Sequence, residues 1–187
     1  MSLDIRAMDL LRDAVAEEAA FEKAVELLSV KQRSVRELQT RLTRSGAGKS
    51  HVEGAIRRLV AAGYLNDATL ADAVARSKLV DGGASRRRVQ QLLFRRGVSR
   101  EVAEAAIDDV MERHEVSEFD GALAAAKRRL RALRSFDAET RRRRLYAFLA
   151  RRGYQPPAIA HVMKALGVAL REGELPAEAE TDVEEAD

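Results

Sequence analysis

Apolar positions along this chain recur at spacings of three and four, and nowhere settle into a sustained alternation. That periodicity predicts helices and leaves no strand pattern. A second, longer period lies over the first. Leu38, Val89 and Leu145 each stand eight residues before a glycine, and Leu42, Leu93 and Leu149 stand four before it. The glycines are Gly46, Gly97 and Gly153, spaced 51 and 56 residues apart. Ten residues after them come Ile56, Ile107 and Met163, and thirteen after come Leu59, Val110 and Leu166. The run Arg86–Gly97 matches Arg142–Gly153 at seven of twelve positions.

Each glycine falls where a helix C-terminus takes a left-handed residue. Helix starts are marked as well. Ser34 with Glu37 and Ser50 with Glu53 read as capping boxes, Ser99 as an N-cap, and Pro156-Pro157 as a first turn. A further helix opens each unit, over 21–30, 68–79 and 119–134. The expected fold is all-α: an elongated array of three tandem three-helix repeats, helix-turn-helix-like, at 20–65, 66–115 and 118–168. Residues 1–19 are expected to form a short acidic helical lead-in. Residues 169–187 are expected to form an acidic, disordered tail, because from Gly173 onward no apolar face survives.

Composition narrows the function classes. The chain has no Cys, which excludes disulfides, Cys-ligated metals and a cysteine nucleophile. No apolar run approaches the ~18 residues of a membrane span. The first residues are acidic and lack the apolar core of a signal peptide, so a cytoplasmic protein is expected. Charge is segregated: residues 1–30 carry 3 basic and 7 acidic groups, 31–164 carry 29 and 15, and 165–187 carry 1 and 8. A basic body between acidic ends points to a polyanionic partner or an acidic protein surface. The acidic end is expected to compete with polyanions for that body.

Candidate catalytic chemistry is thin. Gly48-Lys49-Ser50 resembles the end of a phosphate-binding loop, but Thr43 stands where its first glycine belongs and no strand precedes it. His51, His114 and His161 have no metal-ligand spacing, and Asp108-Asp109 point ~100° apart on a helix. No enzyme, metal or cofactor is expected.

The arginines carry more. Of the 33 basic residues, 27 are Arg. With Val89, Leu92 and Leu93 on a buried stripe, Arg88 and Arg95 fall on one outer face, roughly 10 Å apart along the helix. Arg144 and Arg151 repeat that column, with Arg87 and Arg143 beside it. Lys127, Arg131 and Arg134 form another basic stripe, widened by Arg128 and Arg129. Guanidinium forks suit phosphate or carboxylate. The candidate binding residues are therefore Arg86, Arg87, Arg88, Arg95, Arg96, Lys127, Arg128, Arg131, Arg134, Arg142, Arg143, Arg144, Arg151 and Arg152. Phe94, near the same outer face, is a candidate to stack on a base or enter a partner pocket, or else to pack against a neighbouring repeat.

Several runs resemble one family. Ala24-Val25-Glu26-Leu27-Leu28-Ser29-Val30-Lys31-Gln32-Arg33-Ser34-Val35-Arg36-Glu37-Leu38 with Leu42 is similar to the N-terminal signature of the RecX family. So are Ala62-Gly63-Tyr64-Leu65-Asn66-Asp67 with Ala71 and Val74, the Gly82-Gly83 turn, Arg95-Arg96-Gly97-Val98 and Arg151-Arg152-Gly153-Tyr154. Leu70 departs from it, standing where the family usually has an aromatic. The resemblance spans residues 20–168. It implies three-helix repeats and a regulator of the RecA recombinase in DNA repair and recombination. Such proteins bind RecA filaments along their groove, inhibit strand exchange and coupled ATP hydrolysis, and often bind DNA. The implied partners are the RecA filament, single-stranded DNA and, as a further candidate, double-stranded DNA; a monomer with no membrane partner is expected. Two other readings stand beside it. One is an autonomous DNA-binding protein of helix-turn-helix-like units. It is disfavoured by helices 51–61 and 100–112, which are poor in Asn and Gln. The other is a helical protein-binding scaffold, disfavoured by the surplus arginine.

Overall fold

A computed structural model describes residues 2–168. The acidic segment expected as a disordered tail, 169–187, lies outside the described residues. Nine α-helices are described in chain order: α1 Ser2–Val30, α2 Val35–Arg44, α3 Lys49–Ala61, α4 Asp67–Arg76, α5 Arg86–Arg95, α6 Arg100–Arg113, α7 Glu118–Ala132, α8 Ala138–Arg151 and α9 Pro156–Ala165. No strand occurs among the described residues. The fold is an all-α array of three-helix repeats.

The described chain divides into two compact units. One runs up to residue 76 and includes 90–110; the other takes 77–89 and everything from 111 on. The first boundary falls where α4 gives way to a π-helical turn, Ser77–Asp81. Helix α5 contributes residues to both units.

In the first unit, α1, α2 and α3 enclose Ala24, Leu38, Leu42, Val52, Ile56, Leu59 and Leu65. In the second, α7, α8 and α9 enclose Ala122, Ala126, Leu133, Leu145, Leu149, Ile159, Val162 and Met163. Every repeated apolar position is buried, except Leu166, which packs partly covered against the second core. Each fully covered leucine contributes roughly 1.5–3 kcal/mol.

The repeat glycines take left-handed backbone, with φ of +92° at Gly46, +80° at Gly97 and +86° at Gly153. Ser34 and Glu37 form the expected capping box of α2. The Ser99 hydroxyl accepts from the Val102 N–H at 3.3 Å, and the two prolines sit in the first turn of α9. The Ser50–Glu53 box does not form. Helix α3 starts earlier, capped by the extended backbone of Gly48, so Ser50 is already inside the first turn and Glu53 faces Lys49 instead. The lead-in and the first opening helix are one 29-residue helix, because no Gly or Pro interrupts residues 2–30. Among the described residues no helix is long and apolar enough to cross a membrane.

Candidate functional site: the arginine faces, two junctions and a basic groove

Val89 and Leu93 of α5 are fully buried, which turns the rest of the helix outward. Arg87, Arg88 and Arg95 are exposed, Arg86 is half-buried, and Phe94 is 71% exposed. The first turn of α5 holds three arginines and no acid. Cations at a helix N-terminus oppose the macrodipole, so helix stability does not explain them. On α8, Arg143, Arg144 and Arg151 are exposed, and Arg142 is half-buried. The Arg144 guanidinium lies 3.9 Å from the Phe136 ring centre.

Arg96 and Arg152 stand at equivalent places but do different things. Within the first unit, Arg96 grips Glu37 with both arms, Nε to Oε1 at 3.0 Å and Nη2 to Oε2 at 2.9 Å. Its Nη2 also donates to the Gln32 carbonyl at 2.8 Å. The buried Ser34 hydroxyl donates to the Arg96 carbonyl. Burial pushes the Glu37 carboxyl up, but hydrogen bonds from Arg96 and the Ser34 backbone, with the charges of Arg96 and Lys31, outweigh it and hold Glu37 below its usual range. Arg96 is thus bound inside the unit. Asp67 completes this junction by accepting the Val35 N–H at 2.9 Å.

Within the second unit, Ser85 takes the place of Ser34. Its N–H donates to the Arg152 carbonyl at 3.0 Å, and its hydroxyl accepts the Arg88 N–H at 3.1 Å. Here Arg88 stands where the first junction has Glu37, so Arg152 has no carboxylate and stacks on Phe148 at 4.6 Å. The carbonyl two residues before the capping serine is satisfied by a phenol. Tyr154 Oη donates to the Gly83 oxygen at 3.2 Å, and burial pushes that hydroxyl up to about 12. A Cβ on Gly97 would stand 2.5 Å from the Arg36 Cβ, and one on Gly153 would stand 2.9 Å from the Arg88 Cβ. Both junctions require a bare glycine.

The third basic feature is a groove of about 370 Å³ within the second unit. Lys127 and Arg131 of α7, Arg134 just beyond it and Arg141 of α8 surround Leu130 and Leu166. None of the four cations has an acidic partner among the described residues. Arg128 points elsewhere, over Gly83. Sequence reasoning missed Arg141. It precedes the core residue Leu145 by one turn, and that spacing was the available signal. It also missed Asp67 and Tyr154, whose partners are 32 and 71 residues away. No cluster of three or more His, Cys, Asp or Glu able to hold a metal occurs among the described residues.

Comparison with known proteins finds three three-helix domains in tandem. Three family profiles match in order: RecX first three-helix domain over 20–59, second over 66–107 and third over 117–163. The chain is 35% identical over 144 residues to a regulatory protein RecX of Amycolatopsis mediterranei, covering 77% of this chain and 80% of that one. It is 33% identical over 159 residues to a regulatory protein RecX of Mycobacterium leprae, covering 83% and 90%. The crystal structure of RecX from Lactobacillus salivarius superposes with a TM-score of 0.67 at 15% identity, covering 83% of this chain and 99% of that one, a likeness of fold.

Proposed function

The chain belongs to the RecX family of regulatory proteins, and from that premise we propose that it inhibits the RecA recombinase by binding RecA–DNA filaments. The observation that carries this reading is the ordered set of three RecX domains over most of the chain. The exposed arginines support it. Arg88, Arg95, Arg143 and Arg151 have no acidic partner among the described residues and are available to phosphates or carboxylates. The protein then works in the cytoplasm as a monomer in DNA repair and recombination, with no catalytic role of its own. Exposed Phe94, next to Arg95 in the chain, adds a ring on which a single-stranded base can stack.

Inhibition of RecA-dependent ATP hydrolysis at sub-stoichiometric ratios to RecA tests the reading. Inhibition only when the protein coats all the DNA would favour an autonomous DNA binder. The combined Arg88→Ala, Arg95→Ala, Arg144→Ala and Arg151→Ala variant separates phosphate from protein contacts. It should stay folded, with about 0.5 kcal/mol lost at an ordinary exposed site and up to about 1 kcal/mol at Arg144, which loses its ring contact. If the four neutralise single-stranded phosphates, each removes about 0.7 from the salt slope of log affinity. If they face RecA, naked-DNA binding holds while filament inhibition falls. A folded variant with both activities intact would reject the assignment.

A further inference from the structure

The basic groove of the second unit gathers four cations around one apolar concavity. Some cations on other helices sit beside acids: Arg58 with Glu18 at 2.8 Å, Arg100 with Glu104 at 2.8 Å, Lys23 with Glu26 at 2.7 Å. In the groove, Lys127, Arg131, Arg134 and Arg141 converge without one. Like charges so placed repel, so the groove is built to hold an anion. Its floor, Leu130 and Leu166, is apolar and only partly covered.

The position of the groove in the chain identifies the occupant. Its wall includes Gly167 and Val168, the last described residues. The chain continues from that wall as Ala169-Leu170-Arg171-Glu172-Gly173-Glu174-Leu175, and residues 169–187 hold 8 acidic groups against 1 basic. Glu172 is four residues past the rim, within about 14 Å of chain, and Glu174 lies two residues further on. Leucines interspersed with glutamates match an apolar floor ringed by cations. A tethered segment also meets the groove at an effective concentration near ~1 mM, which favours it over free anions of equal affinity. We infer that the groove of Lys127, Arg131, Arg134 and Arg141 is the docking site for this chain's own acidic segment, residues 169–187. Docking there covers four cations otherwise open to polyanions, an autoinhibitory contact. It holds whether or not RecA is the target.

The chain has no native Cys, so Ala179→Cys gives a unique attachment point for a nitroxide on the full-length protein. At ~0.01 M salt, where charges act over ~30 Å, the amide signals of Lys127 to Arg134 should lose most of their intensity. At ~1 M salt, where the range falls to ~3 Å, they should recover. Adding Arg131→Glu and Arg134→Glu should abolish the low-salt loss. Mixing isotope-labelled protein lacking the nitroxide with unlabelled, nitroxide-bearing protein should leave α7 unchanged. Amides of α7 with equal intensity at both salts would overturn the proposal, as would broadening centred on another helix. Broadening of α7 in the mixed sample as well would overturn it in favour of contact with a second copy. None of these readouts involves RecA or DNA, so failure here and failure of the RecA reading are separate results.

Discussion

The two junctions solve one geometric problem with different chemistry. In each, a buried capping serine meets the carbonyl of an arginine, and a left-handed glycine leaves room for a neighbouring helix. The first junction then adds a charged lock, Arg96 to Glu37. The second omits the acid, places Arg88 in its stead and satisfies the spare carbonyl with the Tyr154 hydroxyl. The shared parts are steric and hold the backbones together. The differing parts decide whether an arginine is used up internally or left for a partner. Arg96, 15% exposed at its side chain, is used up. Arg88, its first turn free of acids, is not.

The largest expected effect tests the shared part. Gly97→Ala and Gly153→Ala each combine positive φ with a close contact and should cost about 2–4 kcal/mol. Gly46→Ala meets nothing within 4 Å and carries only the conformational cost, about 1–2 kcal/mol. Denaturant unfolding of the three variants checks the order; equal losses would mean that the junction contacts are slack.

Next comes the charged lock. Glu37→Ala leaves a mostly covered guanidinium without its acid and should cost about 1.5–3 kcal/mol. The sign of the pH dependence is set by the same carboxylate. Glu37 is held below its unfolded value, so its contribution is complete above about pH 4.3 and is lost as pH falls through the lower folded value. Hydrogen exchange in acid should therefore accelerate in α2, while this junction's counterpart in the second unit, which lacks an acid, stays protected.

Tyr154→Phe removes one buried hydrogen bond and should cost about 1 kcal/mol. With the hydroxyl raised from 10 to about 12, the wild-type second unit should hold below pH ~10 and weaken as pH rises through the folded value. The Phe variant should lose that alkaline step, as read by exchange at α7 and α8.

The smallest effect converts one junction into the other. Arg88→Glu restores a carboxylate opposite Arg152 and in the first turn of α5. Stability should rise by about 0.5–1 kcal/mol, while binding to single-stranded DNA or RecA filaments weakens. A stability gain without a binding loss would show that Arg88 is not part of the partner surface.

Much of this architecture is written in the sequence alone. Leu38, Leu42, Val89, Leu93, Leu145 and Leu149 could be assigned to the core, because helical periodicity is a local property of the chain. The glycine φ values and the Ser34 cap were legible for the same reason: a left-handed residue or a capping oxygen acts within four residues of itself. Ser50 misled because two serine-to-glutamate spacings look alike, while the entry of the preceding chain sets where the helix begins. The fate of individual arginines was not legible. Arg95 and Arg96 are neighbours of the same type, yet ~100° of helix rotation turns one outward and the other onto an acid 59 residues away. Arg141 joins Lys127, Arg131 and Arg134 only because α7, α8 and α9 pack on one core. Local sequence fixes φ, ψ and the buried face of each helix. Which charges meet depends on distances between helices, and only tertiary packing sets those.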